Sequence, residues 1–328
     1  MDTGHEAASS SHQTPRVLVL LATCNGEPWL DEQLASLWAQ HGVQVRVLAS
    51  DDASTDNTRT ILEAHTREHP LVLLPTAQAA SAQAAPSDAA PTRLGACANF
   101  MRLVCKADAG EADYIALCDQ DDVWLPGKLA RAIECLQQTQ AHAYSSSFHL
   151  WLPAHDRREF VCKHHAQTAF DHLIQSPGPG CSFVLCKTLF ADLQQWACAG
   201  RAEPLKSFYH DWLIYAFARK NAWRWHIDDQ SHLLYRQHAR NLSSSDTSLA
   251  AHQTRLAKMR SGWWSREVVA VSTDLGLQHQ WPASAFARLG VLDRIGLALQ
   301  VHRLCRSMRD RIALTLCLLL DILRKPRP

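Results

Sequence analysis

Asp119-Gln120-Asp121-Asp122 puts three carboxylates into four positions. The apolar run Tyr114-Ile115-Ala116-Leu117 leads directly into them, and Trp124 follows. Carboxylates this close raise one another's proton affinity unless a cation, hydrogen-bond donors or open water answer their charge. A second acidic pair, Asp51-Asp52, follows the apolar run Val43 to Ala49. A third run, Val17 to Ala22, ends in Thr23-Cys24-Asn25-Gly26. In open parallel sheets, ligands bind beyond the carboxyl ends of the strands. Three loops of this kind therefore converge on one crevice. Their oxygen atoms suit Mg2+ or Mn2+, held by few protein ligands and open to the oxygens of a diphosphate.

The elements that must position these loops follow from periodicity. Val17 to Ala22 is a continuous apolar run, as in a strand buried on both faces. Leu30, Leu34, Leu37 and Trp38 recur at helical spacing, with Pro28 in the first turn and Asp31 and Glu32 near the positive end. Thr55 or Asp56 caps a helix through Ile61 and Leu62, and Leu71 to Leu74 is a third strand. Such β-α-β-α-β order implies parallel strands with right-handed crossovers. Residues 75–92 are Ala, Gln, Ser and Pro, which reads as a low-complexity insertion loop. Further helices are expected over Asn99 to Lys106, from Pro126 through Leu136, and over Leu213 to Ala218. Further strands are expected at Tyr114 to Leu117, Ser182 to Cys186 and Trp223 to Ile227.

Composition narrows the function classes. The 328 residues are 47% hydrophobic and 20% charged, which is globular. Lys+Arg number 33 and Asp+Glu 32, a balance that argues against a nucleic-acid partner. Eleven cysteines without a C-x-x-C spacing read as reduced thiols in a cytoplasmic protein. Residues 1–15 are a polar tail without the pattern of a signal peptide. From Arg288 onward, nine Arg and Lys residues outweigh Asp293, Asp310 and Asp321. The apolar stretch Ile312 to Leu320 is shorter than the roughly 20 residues a membrane span needs. Two readings stand for this region, 246–328: helices packed on the main domain, or a basic amphipathic surface on the inner, anionic face of a membrane.

The motifs carry a resemblance. Residues 22–27 (Ala-Thr-Cys-Asn-Gly-Glu), 50–58 (Ser-Asp-Asp-Ala-Ser-Thr-Asp-Asn-Thr) and 118–129 (Cys-Asp-Gln-Asp-Asp-Val-Trp-Leu-Pro-Gly-Lys-Leu) resemble family 2 glycosyltransferases. The Asp-Gln-Asp-Asp-Val-Trp form, His210-Asp211-Trp212 and Tyr235-Arg236-Gln237-His238 are most similar to the rhamnosyltransferase-like subgroup. The resemblance spans about 16–242. It implies a GT-A fold over 16–245, a Rossmann-like, mostly parallel sheet flanked by helices, with a helical C-terminal extension. It implies that Asp211 is the catalytic base and that Asp121, with His238, holds the metal. Thr23, Asn25, Asp51, Asp52 and Asp119 would bind the donor nucleotide, and Arg236, Arg240 and His210 phosphate or acceptor. The implied partners are a dTDP- or UDP-linked sugar and a saccharide or lipid-linked acceptor.

Three departures stand out. Cys24 occupies a position where the family commonly has an aromatic residue. The 75–92 insertion replaces a short connection. Ala239-Arg240 stand where the subgroup has Gly and Asn. The expected reaction is inverting, metal-dependent transfer of a deoxyhexose such as rhamnose in cell-surface polysaccharide assembly. A nucleotidyltransferase would want a basic, Gly-rich loop after the first strand, and this loop has no Lys or Arg. A non-catalytic saccharide-binding scaffold is the remaining alternative.

Overall fold

The computed structural model describes residues 13–76, 93–200, 204–238 and 262–322. Nearly all of the 1–15 tail and of the 75–92 insertion, and Arg240 itself, lie outside the described residues. In chain order the first elements are β1 (Arg16–Thr23), α1 (Leu30–Trp38), β2 (Gln44–Asp51), α2 (Thr58–Glu68), β3 (Leu71–Leu73), α3 (Ala96–Lys106), β4 (Tyr114–Cys118), β5 (Val123–Trp124) and α4 (Lys128–Thr139). There follow β6 (Ala143–Ser146), β7 (Phe148–Leu152), β8 (Arg157–Val161), β9 (Val184–Cys186), α5 (Lys187–Cys198), α6 (His210–Lys220), β10 (Trp225–Asp228) and β11 (Leu233–Arg236). The C-terminal region adds α7 (Trp263–Asp274), α8 (Ala283–Arg288), α9 (Val291–Leu299), α10 (Val301–Leu304) and α11 (Met308–Ile322).

The apolar runs become the centre of a seven-stranded sheet of order β10-β6-β9-β4-β1-β2-β3. β1 lies between β2 and β4, parallel to both, so its side chains are buried on either face. Leu18 and Leu20 point into one layer with Phe100, Leu103 and Val104 of α3. Val17, Val19 and Leu21 point into the other with Leu30, Leu34 and Leu37 of α1 and Leu129 and Leu136 of α4. The register sets the site. Thr23 stands opposite Asp51, and Leu21 opposite Cys118, so three loops leave the same sheet edge at one level.

The GT-A expectation, a single Rossmann-like and mostly parallel sheet, is corrected. The chain is a two-sheet α/β architecture. β9 is antiparallel to both β4 and β6, which makes the larger sheet mixed. A second sheet of order β5-β11-β7-β8 stands apart from it. Its strands span two to five residues and mix polar with apolar side chains, so they leave no run for a sequence reading to detect. β5 continues directly from the acidic loop, and β11 pairs with it antiparallel. The second sheet therefore holds one end of Asp119–Asp122. Helix α6 also starts earlier than expected, at His210, which places His210 and Asp211 in its first turn.

The C-terminal helices pack on the main body through Val268, Val271, Phe286, Leu297, Leu304, Leu314 and Leu318. Their outer faces leave Leu292, Leu299, Ile312, Leu316 and Leu320 exposed. Among the described residues, no helix is long and apolar enough to cross a membrane. One buried ion-pair network fastens this region. Asp171, fully buried, accepts from Arg306 (3.0 Å), Arg219 (3.1 Å) and Tyr215 Oη (2.7 Å). Removing one partner of a buried pair leaves uncompensated charge and costs about 3–5 kcal/mol. Asp171→Ala should therefore lower the unfolding free energy by about 3 kcal/mol or more in urea titrations, with two guanidinium groups stranded.

Candidate active site

The acidic loop is held at both ends and in the middle. Gln120 bridges it to the β1 loop: its Oε1 accepts from Cys24 N (2.8 Å) and its Nε2 donates to Cys24 O (3.0 Å). Gly26 allows this approach, because a Cβ there would collide with the Gln120 amide. Asn25 carries the turn in the left-handed region (φ 53°), and its Oδ1 accepts from Thr55 N at 2.8 Å. On the other side, Arg236 of β11 donates its backbone N–H to Asp122 Oδ1 (3.1 Å) and Nε–H to Asp121 O (2.8 Å). Its guanidinium pairs with Glu32 of α1 and lies 4.2 Å from the Trp151 ring. Arg236, expected near phosphate, thus braces the acidic loop.

Within the loop the three carboxylates differ. Asp122 is fully buried, and its Oδ2 has no hydrogen-bond partner among the described residues. Burial, then Asp121 and Asp119, raises its proton affinity far above the carboxylate range. Asp119 is partly exposed, and its carboxyl is pushed up to about 8 by burial, then by Asp121 and Asp211. That last influence ties the loop to Asp211 at the start of α6. Asp121 Oδ2 lies 2.8 Å from His238 Nε2, and the His238 ring stacks on Trp29 at 3.8 Å. Asp121 and His238, the expected metal ligands, are therefore in direct contact.

The donor set fits a hard divalent cation. Asp119, Asp122 and Cys181 each place one ligand atom within 4.8 Å of the others. Burial, then Asp122, raises the Cys181 thiol pKa, and coordination to a cation would lower it again. The Asp121–His238 contact offers a further carboxylate oxygen and a ring nitrogen, donor types that Mn2+ accepts. A second grouping, Cys135, His226 and Asp228, is of another kind. There Arg131 donates to both Asp228 oxygens (2.9 and 3.1 Å) and Tyr144 Oη to one (3.0 Å), which accounts for the charge without a metal.

The remaining expected residues separate into two groups. Thr23 Oγ1 donates to Asp51 Oδ1 (3.0 Å), and Ser54 N to Asp51 Oδ2 (3.1 Å). Asp52 accepts from Leu94 N (2.7 Å) and Gly95 N (2.8 Å) ahead of α3. Both carboxylates are thus satisfied by the protein's own amides and hydroxyls. Asn99 of α3, which the sequence reading passed over, donates to Ser50 O (2.9 Å) and accepts from Ser50 Oγ (2.6 Å). Asp211 is partly exposed, with Oδ1 accepting from Trp212 N at 2.8 Å, and burial raises its pKa. A raised pKa brings a carboxylate nearer to proton transfer at neutral pH. His210 turns the other way. It stacks on Phe100 at 3.8 Å and fills the space beside Gly180, so it is a packing residue of the α6 start.

Gln120, Asp122 and Cys181 were absent from the expected site. Gln120 sits inside the acidic motif. Cys181 had only the Pro177-Gly178-Pro179-Gly180 turn before it as a signal. Lys128 is also buried, its Nζ 3.4 Å from the Trp124 ring centroid and its pKa lowered to about 8 by burial.

Burial lowers His210 to about 3 and His172 to about 4. Their ordinary value is 6.5, so between these limits the unfolded chain binds more protons than the folded one. Stability from these two groups is complete above about pH 6.5 and is lost as pH falls toward 4. Urea melts from pH 7.5 to 4 should show this decline, and His210→Gln should make it shallower.

Residues 18–79, which hold β1, α1, β2 and their loops, match the family described as Glycosyl transferase family 2. The chain is 33% identical over 304 residues to the dTDP-rhamnosyl transferase RfbG of Shigella flexneri, covering 92% of this chain and 100% of that protein. Among solved structures, S. aureus TarS 1–349 in complex with UDP is similar at 14% identity with a TM-score of 0.50, over 94% of this chain and 88% of that one. The mannosyltransferase PcManGT of Pyrobaculum calidifontis, solved with GDP-Man and Mn2+, is similar at 15% identity and a TM-score of 0.49, over 95% and 88%. The overlap with TarS takes in 94% of this chain, more than a Rossmann-like half alone. With the RfbG likeness running nearly end to end, this chain is an enzyme of glycosyltransferase family 2.

Proposed function

We propose that this enzyme is an inverting, metal-dependent transferase that moves rhamnose from a dTDP-linked donor, with UDP as the other candidate nucleotide. Its acceptor is a saccharide or lipid-linked saccharide in cell-surface polysaccharide assembly. The observation that carries this reading is the 2.8 Å contact of Asp121 Oδ2 with His238 Nε2 at the acidic loop that leaves the parallel sheet. The full-length likeness to a dTDP-rhamnosyl transferase supports the donor.

The roles follow from chemistry. Asp119, Asp121 and His238 would hold Mg2+ or Mn2+. When bound, the cation supplies charge neutralisation for the departing diphosphate. Thr23, Asn25, Asp51 and Asp52 line the wall that would receive the nucleotide. Asp211 takes the proton from the acceptor hydroxyl as that oxygen forms its bond to the anomeric carbon. The bond from that carbon to the phosphate oxygen breaks, and its electron pair leaves on the diphosphate. Attack from the face opposite the leaving group inverts the centre, so a single base suffices. A positioned base contributes roughly 100- to 10,000-fold.

The exposed Leu292, Leu299, Ile312, Leu316 and Leu320, together with the basic surplus after Arg288, support peripheral attachment to an anionic, cytoplasmic membrane face.

Asp211→Asn should retain the thermal shift produced by dTDP with Mn2+ and lose about 100-fold or more of turnover. Near-wild-type turnover in the purified variant would remove Asp211 from the mechanism. Asp121→Asn should lose the Mn2+-dependent part of the nucleotide thermal shift while keeping its melting temperature without ligand. Sedimentation with phosphatidylglycerol vesicles should weaken when Leu316 and Leu320 are both changed to Ser; unchanged sedimentation excludes that face as the contact.

A further inference from the structure

The segment just ahead of Asp211 is gripped along its backbone by α7. Lys206 N donates to Asp274 Oδ1 (2.9 Å), and Ser207 N and Oγ donate to Asp274 Oδ2 (2.8 and 2.6 Å). Phe208 N and Tyr209 N donate to Glu267 Oε1 (2.9 and 3.1 Å). Four consecutive amides are thus taken by two carboxylates of one helix, and Glu267 is itself 5% exposed. Burial raises the Glu267 pKa, and Asp211 adds to the rise, so the grip lies within electrostatic reach of the base.

The rigid segment presents an aromatic side chain to solvent. Phe208 is 52% exposed. Its ring meets Tyr209 edge-on at 4.9 Å, and Tyr209 meets Trp263 edge-on at 5.3 Å. A single exposed phenylalanine is ordinary. One whose backbone is clamped by a buried carboxylate, three residues from the base and backed by two more rings, is a prepared surface. Rigid aromatic groups bind with little loss of conformational freedom.

We propose that Phe208, backed by Tyr209 and Trp263, is the platform on which the acceptor's sugar ring stacks, and that Glu267 and Asp274 are positioning residues for that platform. This rests on Asp211 as the base. A flat ring accepts the C–H face of a pyranose and leaves its hydroxyl edge free. The attacking hydroxyl must come within about 2.6–3.2 Å of the base, which a fixed platform ensures. The C-terminal helices are then part of the acceptor side of the site.

The test uses the full chain with Mn2+ and dTDP-rhamnose. It measures dTDP release to water and transfer to octyl glycosides of rhamnose, glucose and N-acetylglucosamine. Phe208→Ala should raise the acceptor KM about tenfold and lower the ratio of transfer to hydrolysis by a similar factor, with a smaller change in kcat. Phe208→Tyr should recover most of the loss. Glu267→Gln, which keeps an acceptor oxygen for the two amides, should retain more transfer than Glu267→Ala. Unchanged acceptor KM in Phe208→Ala overturns the platform, as does wild-type hydrolysis without transfer to any of the three glycosides. Wild-type protein that neither hydrolyses nor transfers rejects the donor reading, and the platform falls with it.

Discussion

Like charges crowded at the end of a parallel sheet repel, and the bracing of this molecule answers that repulsion. Asp119, Asp121 and Asp122 are carried to the sheet edge by β4, whose burial leaves no freedom to relax away. Gln120 ties the loop to β1, and Arg236 ties it to β11 and α1. Neither brace neutralises all three carboxylates. The residual charge shows in Asp119 and Asp122, whose carboxyl groups hold protons well above the ordinary range. A cation bound there would displace those protons and take up the carboxylates' charge.

The two sheets divide the work. The larger sheet sets the level at which three loops emerge, through the parallel register of β1, β2 and β4. The smaller sheet turns Asp122 inward and aims Arg236 and His238 at the same loop. Its strands are short, but each of β5, β7 and β11 sends apolar side chains into the core. They are kept in place by side chains such as Trp124, which is almost fully buried against Lys128. The acidic loop therefore depends on a part of the fold with weak intrinsic signal.

The C-terminal helices are joined to the site through hydrogen bonds as well as apolar contact. Asp171 binds Arg306, and Glu267 and Asp274 bind the amides before α6. Each is a charged group used to fix backbone or another charge, the use that makes a buried carboxylate tolerable. The outer apolar faces of α9 and α11 answer to a different constraint, since no described residue covers them.

Apart from β5, strand and helix order through residue 139 was readable from the residues alone, because buried parallel strands leave continuous apolar runs and α1 and α4 leave a 3.6-residue period. The acidic motif and the Asn25-Gly26 turn were readable for the same local reason, since their chemistry resides in neighbouring residue types; Asp211 was singled out only through the family resemblance. What only tertiary structure decided was partnership across the chain. Arg236 is 115 positions from Asp121 and pairs with its loop, while His210, next to Asp211, turns into the core. Cys181 reaches Asp119 and Asp122 through a turn with no period at all. Such contacts depend on how separate elements stack, and composition or spacing along one segment carries no record of that.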